Sequence, residues 1–514
     1  MKTKYSIIAL AFTFLVMINY SCSEEFLDQK PTSSFYEQNY YKNVDELNSG
    51  LVACYASLRQ PYYSSYDIMD WTIGDIGSDD ADCGSFYSDQ PDLYNISYSR
   101  QNTSNYWVFL NWLSYYGTIA TCNKVIDRSP GTEGDTTDIR RIVNEAKFLR
   151  ALIYYNLVTR FGAVPLVTKF LLPAELTLPR APEEEVWKQI ESDLKDATEL
   201  PDKSYYAEPG HATSGAAWSL LGKCYLTEQK YDLANQAFSM VVNSGQYSLV
   251  DDYGYIFRKE GQNCEESVFE MQTLTNLQSG GNLCSWSAPF RLPRDDRGWG
   301  YDCPTEDLLS EFEPGDPRVI YTFIFKGDVF PKDDYGDYIA ENSESPTGYN
   351  ARKAWIPYDE TNNLGWDQWA INYRILRYAE VLLLYAESLN ETDQPNAALS
   401  LLNQVRARAR ITPAADPQRI SCVRDLSYTG ELLPDVTTTD KTQLREAIWH
   451  EQRVELAIEG HRRNMLLRIG QFKERMETAK AYAEVTLEPY HNLLPIPMDE
   501  IRLSNNVLTQ NPGY

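Results

Sequence analysis

Two stretches set aromatic rings beside carboxylates and guanidinium groups at close spacing. GDIGSDDADCGSFYSDQ carries Asp79, Asp80, Asp82, Phe86 and Tyr87, and CSWSAPFRLPRDDRGWGYDCPTEDLL carries Trp286, Phe290, Arg291, Arg294, Trp299 and Tyr301. Such a mixture suits a ligand with a flat apolar face and a polar rim. A sugar ring is one: its C–H faces pack on aromatic rings, and its hydroxyls need Asp, Asn, Gln or Arg partners. Each aromatic is equally compatible with plain loop or core packing. A third cluster, AWIPYDETNNLGWDQW, with Trp355, Tyr358, Trp366 and Trp369, could line the same pocket.

Other chemistries find less support. The acidic stretch PKDDYGDYIAENSE lacks EF-hand spacing and reads as solvated loop rather than a calcium site. No G-x-S-x-G, H-E-x-x-H, P-loop or G-x-G-x-x-G motif occurs. With four histidines and no C-x-x-C pair, a zinc site of familiar spacing is not expected. No metal, cofactor or catalytic residue is therefore assigned. A glycoside hydrolase stays as an alternative, because hydrolysis needs only an acid and a base flanking the bond and carboxylates are abundant.

The elements that must position these loops are helical. NVDELNSGLVACYASLR places Leu47, Leu51, Tyr55 and Leu58 on one face. IRRIVNEAKFLRALIYYNLVTRFG runs at three-to-four spacing to Gly162 and Pro165, and APEEEVWKQIESDLKDATELP opens with acids and stops at Pro201. TSGAAWSLLGKCYLTEQKYDLANQAFSMVVNSG sets Trp218, Leu221, Gly222, Tyr225, Ala234 and Phe238 in tetratricopeptide spacing, where small residues let two helices approach. RYAEVLLLYAESLNETDQPNAALSLLNQVRARAR repeats it more weakly through Leu382, Ala386, Leu389, Ala398 and Leu402. Residues 43–59 and 141–161 offer a third pair. Such pairs bury their faces by stacking. Residues 61–107 and 251–375 are rich in Gly, Pro, Asp, Asn, Tyr and Trp and are expected to be long loops with short strands, VIYTFIF (Val319 to Phe325) among them.

The chain opens with MKTKY and an uncharged run, Ser6 to Ile18, of about 13 residues, or roughly 20 Å as helix. That is short for a membrane span and suits a secretion signal. Ser21 then precedes Cys22, a spelling that resembles a bacterial lipoprotein signal, with residues 1–21 removed and Cys22 acylated. Losing Lys2 and Lys4 takes the net charge from −26 to −28. So acidic a surface disfavours nucleic acid and anionic membrane. Of the eight other cysteines, Cys54 and Cys224 fall in helical patterns and are expected in the core.

Several blocks resemble the SusD/RagB family. NEAKFLRALIYYNLVTRFGAVPLV, RYAEVLLLYAESLN, LLNQVRARA, HEQRVELAIEGHRRNMLLRIG and LLPIPMDEIRLSNNVLTQNPGY match its blocks in order, across nearly the whole chain after Cys22. Arg463 and Met465 depart from the pattern, where an aromatic and an aspartate are usual. The resemblance implies a mainly α fold: one domain over residues 22–514, with tetratricopeptide-like helix pairs at about 40–60, 141–250 and 375–470. It also implies an irregular ligand-binding part at about 61–107 and 251–375. It implies a surface lipoprotein that captures oligosaccharides, or in some members peptides, and acts as lid to a SusC-like TonB-dependent outer-membrane transporter. The third aromatic cluster could then meet that transporter. The recurrent charges Glu145, Arg150, Arg377, Glu380, Glu387, Arg406, Glu455, Glu459 and Arg462 read as structural ion pairs, not ligand contacts.

Overall fold

The computed structural model describes residues 40–59, 65–172, 175–274, 285–333, 336–361, 364 and 369–514. Cys22, Cys284 and Trp366 lie outside the described residues. The principal helices are α1 (Val44–Ser57), α2 (Tyr106–Arg128), α3 (Thr136–Phe161), α4 (Glu183–Ala197), α5 (Ser214–Thr227), α6 (Tyr231–Val242), α7 (Tyr378–Glu391), α8 (Pro395–Ile411), α9 (Lys441–Glu455) and α10 (Arg462–Arg468). Their starts are written in the sequence: Asn43, Asp135 and Thr213 accept backbone N–H groups at the first turns of α1, α3 and α5. α3 ends at Gly162, whose φ is +71°. Among the described residues, no helix is long and apolar enough to cross a membrane.

The helices stack in chain order. α1 packs on α2 and α3, α3 on α4, α4 on α5, α5 on α6, α6 on α7, and α7 on α8 and α9. The tetratricopeptide spacing has the expected cause. A Cβ on Gly222 would sit 2.6 Å from the Phe238 ring, so only glycine admits that ring between α5 and α6. Ala234, Phe238, Leu382, Ala386, Ala398 and Leu402 are fully buried, as are Cys54 and Cys224. α2 is an addition, since the pattern reading leaves residues 108–140 unassigned.

The irregular part is more ordered than the sequence suggests. Residues 65–107 contain the helix Tyr66–Trp71, which runs into a π-helical turn at Thr72–Ile76, and the helix Pro91–Ser97. VIYTFIF is a helical turn, Arg318–Thr322, followed by the strand Phe323–Ile324. The acidic stretch is an antiparallel pair, Val329–Asp333 with Gly336–Ile339, and not a plain loop. Two longer strands, Ser267–Met271 and Tyr373–Arg377, also pair antiparallel.

Buried charges join this part to the helical stack. Arg377, just before α7, meets Glu266 (2.9 Å), Glu455 (2.6 Å) and Glu459 (2.7 Å). Arg318 meets Glu451 and Glu455, Arg408 meets Glu266 and Glu455, and Lys353 meets Glu459. Burial alone would raise the Glu459 carboxyl, but Arg377 and then Lys353 bring it down to about 2. The other recurrent charges pair as well: Glu145 with Arg141 and His211, Arg150 with Asp193, Glu380 with Lys223, Glu387 with Arg468, and Arg406 with Glu451. The departure at Arg463 is accommodated. Its guanidinium donates to the carbonyls of His491 and Asn492 and lies 4.9 Å from the Phe472 ring. Burial takes its pKa down to about 10.

Candidate functional site

The two aromatic stretches meet through backbone. Strand Ala81–Asp82 pairs antiparallel with Cys303–Pro304. Just beyond, Gly84 (φ +73°) lies so close to Gly300 that a Cβ would fall 1.9 Å from the Gly300 carbonyl oxygen. Arg294 clamps the loops together, with Nη2 donating to Asp89 (2.9 Å) and Ser85 Oγ (3.2 Å). The Ser85 hydroxyl and then Arg294 hold the Asp89 carboxyl below its usual value. Behind this junction, Lys480 donates to the carbonyls of Ile76, Ala81 and Ser97 at 2.7–3.1 Å. Its burial lowers its pKa to about 8.

Phe290 is the centre of the aromatic arrangement. Its ring centroid lies 4.5 Å from Trp299, 5.8 Å from Tyr301, 6.3 Å from Trp286, 6.4 Å from Trp107 and 6.2 Å from Trp71. The backbone sets that order, because the N–H groups of Trp299 and Tyr301 donate to the carbonyls of Pro289 and Phe290. Trp286 and Trp299 are half-buried and pack against the core. On the adjoining loop, Phe86 is 65% exposed and Tyr87 59%. Tyr87 is set edge-on to Tyr94 at 5.6 Å, and Tyr94 packs on Tyr98 at 4.5 Å. Trp286 and Trp299 are thus packed on a buried Phe290 ring and Tyr87 on Tyr94, an arrangement able to stack on a flat apolar ligand face.

The carboxylates of the first stretch do not belong to that surface. Asp79, Asp80 and Asp82 are at most 1% exposed. Asp79 meets Arg462 (2.8 Å), Arg475 (3.0 Å) and Arg453 (3.2 Å), and Asp80 meets Arg453 (2.8 Å). Burial alone would raise the Asp79 carboxyl, yet Arg462, Arg453 and Arg475 together hold it well below the usual range. Asp82 accepts from the Gly84 backbone and the Tyr98 hydroxyl. All three are buried and engaged within the protein, and none is open at the aromatic surface.

Of the second stretch, Phe290, Arg291 and Tyr301 are interior. Phe290 and Tyr301 form the floor, and Arg291 pairs with Asp302 (2.8 Å) and donates to the Ile458 carbonyl. Trp355, Tyr358 and Trp369 of the third cluster are also buried, in a satellite core with Phe330 and Ile356. The Arg297 guanidinium lies 3.6 Å from the Tyr358 ring centroid, and Asp296 accepts from Trp355 and Tyr358. That cluster supports the loop. Of the predicted residues, Phe86 and Tyr87 are exposed and Trp286 and Trp299 are half-buried. The reading missed Tyr94, whose signal was its four-residue spacing from Tyr98, the residue that ends its helix, and Trp71 and Trp107 of the floor. Among the described residues, no group of three or more His, Cys, Asp or Glu is placed to hold a metal ion.

Comparison with known proteins agrees over almost the whole chain. A family model described as the SusD family matches residues 265–514, and one described as starch-binding, associating with the outer membrane, matches residues 25–226. A SusD-like protein of Formosa agariphila is 26% identical over 98% of this chain and 99% of its own length. The starch-binding protein SusD of Bacteroides thetaiotaomicron is 24% identical over 83% of this chain and 81% of its own. Among solved structures, a laminarin-binding SusD-like protein superposes with a TM-score of 0.73 at 26% identity, covering 92% of this chain and 100% of that one. A SusD homolog of Bacteroides thetaiotaomicron gives 0.77 at 22% identity, over 93% and 98%.

Proposed function

The chain belongs to the SusD family, and from that premise we propose that it captures oligosaccharides at the outer-membrane surface, on the aromatic surface of Trp286, Trp299, Phe86 and Tyr87. One observation carries the reading: half-buried tryptophans pack on a buried Phe290 floor, on a loop bonded to a second loop with exposed rings. The names of the relatives point the same way, since one binds laminarin and another starch.

Magnitudes suit a capture role. Covering roughly 100 Å² per ring at about 25 cal/mol/Å² gives roughly 2–3 kcal/mol gross. Three rings, less the costs of association, give affinities on the order of millimolar to high micromolar. A protein that must pass its ligand on needs no more.

In the same reading Cys22 follows a signal of residues 1–21 and carries the lipid anchor. The partner is a SusC-like TonB-dependent transporter, over which the protein acts as lid. It binds without cleaving. Hydrolysis needs two carboxylates beside the bond; three carboxylates of this loop, Asp79, Asp80 and Asp82, are buried and engaged, which supports the reading. Retardation of the chain in laminarin or starch gels, with no sugar released, is the expected result. Binding to peptides alone would move the protein to peptide capture, and release of defined sugars would make it an enzyme.

A further inference from the structure

A second place of polar and aromatic character shares no residue with the aromatic surface. Two recesses, of about 250 and about 180 Å³, flank the turn Pro209–His211. Together they reach the lower part of the roughly 300–1,000 Å³ range of small-ligand sites. The turn is pressed onto the sheet: Gly210 has φ +99°, and a Cβ there would fall 2.3 Å from Gln272 Cγ.

The site is built and held in place. The His211 ring stacks on Tyr206 at 4.4 Å with 8° between planes. Both are tied to the buried Glu145 carboxylate, which also accepts from the Tyr55 hydroxyl and from Arg141. Planar polar groups converge beside this pair. The side-chain amides of Asn263 and Gln272 exchange hydrogen bonds at 2.8 and 3.0 Å. Glu270 lines both recesses and is 2% exposed. Its Oε2 accepts from the Asn263 backbone and the Asn372 amide, while among the described residues its Oε1 accepts no hydrogen bond.

A buried acceptor left open costs free energy until a donor arrives. It faces Arg374 Nε as an ion pair at 3.6 Å, and that N–H likewise makes no hydrogen bond among the described residues. What the pair lacks is a group that can donate to Oε1 and accept from Nε. A sugar hydroxyl both donates and accepts, amide and carboxylate planes side by side suit vicinal hydroxyls, and the Tyr206–His211 pair offers an aromatic edge.

We infer that these recesses are a second glycan subsite, taking one or two pyranose units of a neutral oligosaccharide. The inference rests on the capture reading above and deepens it, since two subsites on one chain grip a polysaccharide by multivalency.

The test is titration calorimetry of the chain starting at residue 23 with laminari-, malto-, cello- and xylohexaose. For at least one hexasaccharide the expected result is two sites per chain, of which Trp286→Ala with Trp299→Ala leaves one. That remaining site weakens at least about tenfold in Glu270→Gln. Gln272→Ala, at a half-buried position, gives the same readout should the buried substitution fail to fold. One site per chain, lost entirely with the two tryptophans, overturns the second subsite and leaves the capture reading standing. No binding of any hexasaccharide overturns both.

Discussion

At the scale of single residues, charge and aromaticity divide the work. Asp79 faces three guanidinium groups from the far end of the chain and is wholly buried. Asp79→Ala leaves Arg453, Arg462 and Arg475 facing one another with one carboxylate fewer. Removing one partner of a buried ion pair costs about 3–5 kcal/mol, and a drop of that size in chemical denaturation is the expected outcome. A change of a few tenths would show the cluster to be ornamental. The sequence marked Asp79, Asp80 and Asp82 as loop residues beside aromatics and so as ligand contacts. What it could not show was that arginines nearly four hundred residues away in the chain close over them. Phe86 and Trp299 were legible as aromatics of polar loops, and the structure leaves Phe86 exposed and Trp299 half-buried. Phe290 was not, because which ring of a cluster becomes floor depends on the turn that follows it.

At the scale of elements, backbone approach decides what a position tolerates. The π-helical turn Thr72–Ile76 packs against Gly460 so closely that a Cβ on Gly74 would sit 1.9 Å from its carbonyl oxygen. Asp75 reinforces the contact by accepting from the Gly460 N–H. Gly74→Ala must push two backbones apart and is expected to cost about 1–3 kcal/mol or more. Gly117, inside α2, is the control: nothing lies within 4 Å of its Cβ direction. There an alanine is expected to stabilise by about 0.5–1 kcal/mol. Equal midpoints for the two variants in denaturant would refute the argument from close approach. The helices around Gly222 were readable because their small and large residues alternate at fixed spacing. α2 was passed over, and the Pro91–Ser97 helix was hidden in a stretch whose composition looks like loop. Both are held by tertiary packing, which overrides local propensity.

At the scale of the molecule, one charge network ties the irregular part to the helical stack, and its pH dependence follows. Glu459 has a folded pKa of about 2 against an ordinary 4.5, the net result of burial opposed by Arg377 and Lys353. A depressed carboxyl contributes stability that is fully present above about pH 4.5 and is lost as pH falls towards 2. For this group alone the difference is about 3 kcal/mol. Glu455 and Asp79 are held down in the same manner and add to it. Melting temperature should therefore fall steeply between pH 4.5 and 2, and a flat profile there would contradict the network.

The central claim is capture of an oligosaccharide by the rings that Phe290 supports. Affinity electrophoresis of the chain starting at residue 23 through laminarin and starch gels tests it most directly, run beside Trp286→Ala and Trp299→Ala. The account predicts that at least one polysaccharide retards the parent chain without releasing sugar. It also predicts that each substitution weakens that binding at least about tenfold with circular dichroism unchanged. Retardation undiminished in both variants would remove these tryptophans from the binding surface and contradict the account.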